Sequence, residues 1–119
     1  MWRGRVMSAI RGKRGQALLE SCLIALDVMP EKRLISDLLV DNNEVCLLGA
    51  ACLQRGVADL GKIDPEDHHT LSQRLNVAEC LIREIEYEND EGAYFAETPE
   101  QRFDRMRKWV VKNLKDGAK

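Results

Sequence analysis

Apolar side chains recur at three- and four-residue spacing over much of this chain, the period of an amphipathic helix. Over residues 16–29 the stripe is Leu18, Cys22, Ala25, Leu26 and Met29, widened by Leu19 and Leu23. That width predicts a central helix contacted on more than one side. Pro30 ends it, because the residue before a proline avoids the α region. Over 33–48 the pattern changes. An apolar run to Val40 meets Asp41, Asn42 and Asn43, and a second run follows Glu44. Asp and Asn tolerate positive φ in tight turns, so this stretch predicts a short β-hairpin. A helix over 35–40 competes with it, because leucine is no strong strand former. Residues 49–55 predict a helix stopped by Gly56, and Gly49, Ala50 and Ala51 leave room for close backbone approach. Residues 57–63 read as a loop.

Three helix starts are written in capping residues. Asp64 before Pro65 predicts a helix running to about Leu75. Asn76 with Glu79 at the capping-box position predicts the next, with Val77, Cys80, Leu81 and Ile85 as its buried stripe, fading near 87–89. After a loop from Asp90 to Glu97, Thr98, Pro99 and Gln101 open the last helix, whose apolar face is Phe103, Met106, Val110 and Leu114. The first fifteen residues are interrupted by Gly4, Gly12 and Gly15, which weaken any helix. They read as a basic, partly ordered arm, with a short helix over 6–11 as the most it would hold. The fold expected is mostly α (α+β): a compact single domain of four to five helices with one short β-hairpin. It would occupy 16–116, between the arm at 1–15 and a tail at 117–119.

A length of 119 residues with 45% hydrophobic and 32% charged side chains suits one soluble globular domain. No run approaches the roughly 20 apolar residues of a membrane span, and no signal-peptide apolar region follows the basic N-terminus. A cytoplasmic protein is expected. The net charge of −2 hides an uneven distribution. Arg3, Arg5, Arg11, Lys13 and Arg14 lie in the first sixteen residues with no acid among them, so the remainder carries −7. From Glu84 to Glu100 there is no Lys or Arg, and the final twenty residues are basic again.

These runs supply the candidate sites. Glu84, Glu88, Asp90 and Glu91 form a candidate acidic surface for a partner, although such runs are usually a solvated face. Arg3, Arg5, Arg11, Lys13 and Arg14 form a candidate basic arm for nucleic acid or a partner protein. The plainer alternative is that the arm packs on the acidic stretch, and a pI of about 5.7 is low for a nucleic-acid-binding domain. Arg105, Trp109 and Lys112 share a helix face and form a candidate interface, unless Trp109 belongs to the core.

Catalytic chemistry finds no motif. A nucleophile elbow, a Walker loop, a dinucleotide fingerprint and an HExxH pair are all missing from the sequence. Cys22, Cys46, Cys52 and Cys80 form no Cys-x-x-Cys pair and read as reduced core residues. Cys46, Cys52, His68 and His69 have spacings unlike those of structural zinc sites. No metal and no cofactor are expected, and the chain reads as a non-enzyme.

Several stretches carry a resemblance as a set: residues 8–16, Met29-Pro30-Glu31-Lys32-Arg33-Leu34-Ile35, Glu44-Val45-Cys46-Leu47-Leu48-Gly49-Ala50, Asp64-Pro65-Glu66-Asp67, Tyr87-Glu88-Asn89-Asp90-Glu91 and Thr98-Pro99-Glu100-Gln101-Arg102-Phe103. In this order they resemble a group of small accessory proteins of bacteriophages, prophages and other mobile elements. The resemblance implies a protein that binds and inhibits a host protein complex, with a CRISPR or other defence effector as the type of target. The acidic stretch would then meet a basic nucleic-acid groove. The alternative is a nucleic-acid-binding accessory protein using the basic arm. No membrane role is expected, and a monomer and a homodimer both fit.

Overall fold

Gly12 divides the N-terminal segment into two helices instead of ending an arm. The computed structural model describes residues 2–93 and 95–115. Within them α1 (Trp2–Arg11) leads directly into α2 (Lys13–Val28). The expectation of a partly ordered arm is corrected here. Val6 and Ile10, one turn apart, are buried, and α1 lies against both α2 and α5 (Glu79–Glu91). A mid-helix glycine such as Gly4 costs about 1 kcal/mol relative to alanine. Burying Val6 and Ile10 returns roughly 1.5–3 kcal/mol each, so packing outweighs propensity. Gly15 permits the tight elbow: a Cβ there would sit 1.8 Å from the Ala9 carbonyl oxygen. The expected tail lies outside the described residues.

The remaining elements are a hairpin, β1 (Val40–Asp41) and β2 (Glu44–Val45), then α3 (Leu47–Gln54), α4 (His68–Leu75), α5 and α6 (Pro99–Asn113). The described residues thus hold six helices, one or two more than expected, and a single two-stranded antiparallel sheet. The radius of gyration is 13.1 Å, against about 13.5 Å for a compact domain of this length. As its wide stripe predicts, α2 is central, packing on α1, α3 and α6. Leu18, Leu19, Cys22 and Leu26 are fully enclosed.

Local chemistry accounts for most boundaries. Asn42 and Asn43 both take positive φ, 49° and 70°, as a type I′ hairpin turn requires. The strands are only two residues long, and Asp37, itself at φ 69°, interrupts the run before them. The competing helix over 35–40 does not form. α3 begins two residues earlier than expected. Its N-cap is Cys46, whose Sγ accepts from the Gly49 N–H at 3.4 Å. Gly49 lies so close to the segment before β1 that a Cβ would strike the Leu39 carbonyl oxygen, which is the close approach its size suggested. Within 57–63, Leu60–Lys62 forms one 3₁₀ turn.

Two predicted starts shift. Asp64 accepts from the Glu66 N–H at 2.9 Å, a turn of its own that competes with helix initiation. α4 therefore begins at His68, with Asp67 accepting from the Thr70 N–H at 3.1 Å. Asn76 does not open α5. It closes α4 in the left-handed region at φ 56°, ψ 49°, a conformation asparagine tolerates. Glu79 is then the first residue of α5, and the helix continues past the expected fade to Glu91. The capping box of α6 forms as expected, with reciprocal bonds between Thr98 and Gln101 of 3.1 and 2.9 Å.

One buried amide joins three of these parts. Asn89, 1% exposed, accepts from the Leu47 N–H at 3.1 Å and donates to the Ile35 carbonyl at 2.9 Å. It ties α5 to the start of α3 and to the strand-side loop. Asn89→Ala leaves both backbone groups unpaired and should cost about 3 kcal/mol, read as a lower urea midpoint at unchanged m-value. A loss below about 1 kcal/mol would show that water replaces the amide. Gly49→Ala forces Leu39 and Val45 off α3 and should cost about 2–3 kcal/mol by overpacking in the same assay.

Candidate functional site

The acidic stretch does not form a single surface. Residues 84, 88 and 91 share one face of α5, but that face turns inward at its N-terminal end. Glu84 is 5% exposed and bonded to Arg3 at 2.8 Å. Glu88 is half-buried, and its carboxyl is raised above its ordinary range first by burial and then by neighbouring Glu84. Asp90 is half-buried and accepts from the Asp37 N–H and from Asn89 Nδ2 at 3.1 and 2.8 Å. Glu91 is exposed. Of the four residues expected to meet a partner, Glu84 and Asp90 are thus engaged inside the fold.

The Arg105, Trp109 and Lys112 face is divided as well. Arg105 grips the C-terminal end of α5, donating to the Glu88 and Asn89 carbonyls at 2.6 and 3.1 Å. The same guanidinium holds both carboxylate oxygens of Glu97 at 3.0 and 2.7 Å. Those bonds keep the Glu97 carboxyl below its usual range, with a smaller contribution from Arg102. Trp109 is half-buried against the core, and only Lys112 is exposed.

The basic residues divide differently. Arg3 belongs to Glu84. Arg5, Arg11, Lys13 and Arg14 are exposed, and none has an acidic partner among the described residues. Arg14 reaches the Asn76 side-chain carbonyl at 3.3 Å. Gln16, a residue outside every candidate site read from the sequence, draws both ends of the chain to this place. Its Nε2 donates to the Ile10 and Asn113 carbonyls at 2.7 and 3.0 Å, and its Oε1 accepts from the Lys115 N–H at 2.9 Å. The end of α1, the start of α2 and the end of α6 therefore meet. Nothing local marks Gln16 for this work, because its partners are six and 97 residues away.

Three of the four thiols are enclosed, and Cys80 is partly exposed. Burial pushes the Cys22 and Cys46 thiols up to about 12 and Cys52 up to about 11. They are protonated near neutral pH, and neither a nucleophile nor a metal ligand arises without a thiolate. His68 Nε2 lies 3.1 Å from Glu86, and His69 Nδ1 lies 3.6 Å from Glu79. Among the described residues no three His, Cys, Asp or Glu side chains come together as a metal site. No described helix is long and apolar enough to cross a membrane.

An apolar concavity lies elsewhere, between α2, α3 and the hairpin. It has a volume of about 570 Å³ and is lined by Ala25, Met29, Pro30, Val45, Ala50 and Leu53 among others. Three large apolar side chains stand exposed along it or beside it: Ile24 (50%), Val28 (67%) and Leu53 (53%). Ile24 and Val28 are one turn apart on α2, in line with exposed Glu20. At the rim, Arg33 is held by Glu44 at 2.9 Å and lies 3.8 Å from Glu100. Glu31 has no cationic partner among the described residues. The sequence signal for this face is the apolar width of α2, which exceeds what one buried stripe requires.

The pinned carboxylates set an acid limit. Asp27 beside Arg107, and Glu97 beside Arg105, are both lowered by those hydrogen bonds. Depressed groups stabilise the fold fully above their unfolded values, about 3.9 and 4.3. That stabilisation is lost as pH falls through the lower folded values. The urea midpoint should therefore drop on acidification below about pH 4.5. Glu97→Gln should lower it at neutral pH and flatten the acid slope, and an unchanged slope would contradict the assignment. Comparison of the chain with protein-family models, with curated proteins and with solved structures gives no match.

Proposed function

We propose that this chain is a non-enzymatic interaction protein that binds and inhibits a host protein complex through its α2–α3 face. The observation that carries the reading is the exposure of Ile24, Val28 and Leu53 around an apolar groove. Contiguous apolar surface of this kind on a small protein marks a binding face. The mobile-element resemblance supplies the context, a bacterial cell in which an accessory protein blocks a host assembly of the CRISPR or another defence type. The partner's chemistry follows from the rim. Glu31 lines the groove and Glu20 stands in line with Ile24 and Val28 on α2, neither with a cationic partner among the described residues, while Arg33 is neutralised by Glu44 and Glu100. The complement is a protein surface with an apolar ridge and a basic flank, as nucleic-acid-handling complexes carry.

The acidic stretch of α5 does not serve as the contact, because Glu84 and Asp90 are engaged internally. Occlusion by charge falls instead to Glu20 and Glu31.

The test is capture from nuclease-treated bacterial lysate followed by an activity assay of the captured complex. Native protein should retain a stoichiometric partner and inhibit it. Ile24→Glu with Val28→Glu should weaken capture at least about tenfold, since each truncated anchor is worth upward of 1 kcal/mol. Glu20→Lys with Glu31→Lys should slow association and reduce its salt dependence. Capture that is indifferent to the α2 variants, with circular dichroism confirming their fold, would overturn the reading.

A further inference from the structure

We propose that a second surface, a cationic trough along α1, binds the phosphate backbone of nucleic acid. It lies on different residues from the α2–α3 face and stands or falls independently of it. The trough runs between α1 and the start of α5. Gly4, Ser8, Ala9 and Ala78 form its floor, with Arg5 on its border and Lys13 and Arg14 at its far end. Small floor residues let an extended backbone come close, and the cations stand where it would pass. α1 is about 15 Å long, the length of about four phosphates along one strand at a rise of about 3.4 Å.

The far end of the trough is cationic because of how the chain closes. Gln16 bonds to Ile10, Asn113 and Lys115, so Arg11, Lys13 and Arg14 are joined by Lys115 from the other end of the chain. All four are exposed, and none is paired with an acid among the described residues. The nearest acid in sequence to the trough floor is Glu79, which lies 3.6 Å from His69. In contrast to a flexible arm, this surface is held by a helix packed in the core. Polyanion chemistry fits it better than a lipid surface. Membrane-surface helices place large apolar residues beside their cations. Among the described residues α1 carries one exposed large apolar side chain, Trp2, at the end away from Gln16 and from Lys13 and Arg14.

The experiment is fluorescence anisotropy of the full chain with a labelled duplex and the matching single strand, from about 50 to about 200 mM salt. Binding should weaken steeply over that range. Lys13→Glu with Arg14→Glu should reduce affinity at least about tenfold and lower the salt slope by about one for each phosphate no longer neutralised. Arg11→Glu with Lys115→Glu, drawn from both chain ends, should do the same. Lys62→Glu, an exposed cation remote from the trough, should leave binding unchanged. Each variant is checked for native circular dichroism, and all the altered residues are exposed. No binding at low salt would overturn the proposal, as would binding indifferent to both pairs. Tighter binding to phosphatidylserine vesicles than to either nucleic acid would also overturn it, assigning the trough to a membrane surface.

Discussion

Long polar side chains close the C-termini of five of the six described helices. The last carbonyls of a helix have no partner within it, and each left buried and unpaired costs about 1–3 kcal/mol. Gln16 reaches the ends of α1 and α6. Lys32 reaches Leu26 and Asp27 at the end of α2. Arg55 reaches Leu75 at the end of α4, and Arg105 reaches Glu88 and Asn89 at the end of α5. Three of these donors are cations, which also suit the negative end of the helix dipole. Because each donor stands on another element or beyond a turn, every such bond fixes tertiary position as well as capping a helix.

This arrangement redistributes the charge. Arg105 and Glu97 form an internal knot, Arg3 and Glu84 another, and the apparent acidic run between residues 84 and 100 loses much of its surface presence. Arg11, Lys13, Arg14 and Lys115 are left outward, gathered by a neutral residue, Gln16. The apolar groove between α2 and α3 stands apart from them, bordered by acids. Two surfaces of different chemistry thus follow from one set of capping contacts.

Legibility in the sequence tracks the range of the deciding interaction. The Thr98 box and the Asn42–Asn43 turn close within four residues and are readable, as is the central stripe of α2. Asp64 and Asn76 mislead because each has two local uses, and the choice depends on neighbours: Asp64 makes its own turn, and Asn76 takes the left-handed cap of α4. α1 is hidden because only Val6 and Ile10 are buried between arginines and glycines. For the candidate sites, the basic residues are legible as a group, but Arg3 is not separable from Arg11 without knowing that Glu84 lies inside. Gln16 and Asn89 carry no visible signal, since the meaning of a single amide lies in partners tens of residues away.

The closure of both chain ends on Gln16 is tested most directly by native-state hydrogen exchange on Gln16→Ala. Protection should fall at the Lys115 amide and in the last turns of α1 and α6 together, while the amides of α3 and of the α5 core keep theirs. Protection unchanged in either α1 or α6, or lost uniformly across the molecule, would contradict a structure in which this one side chain holds the two ends.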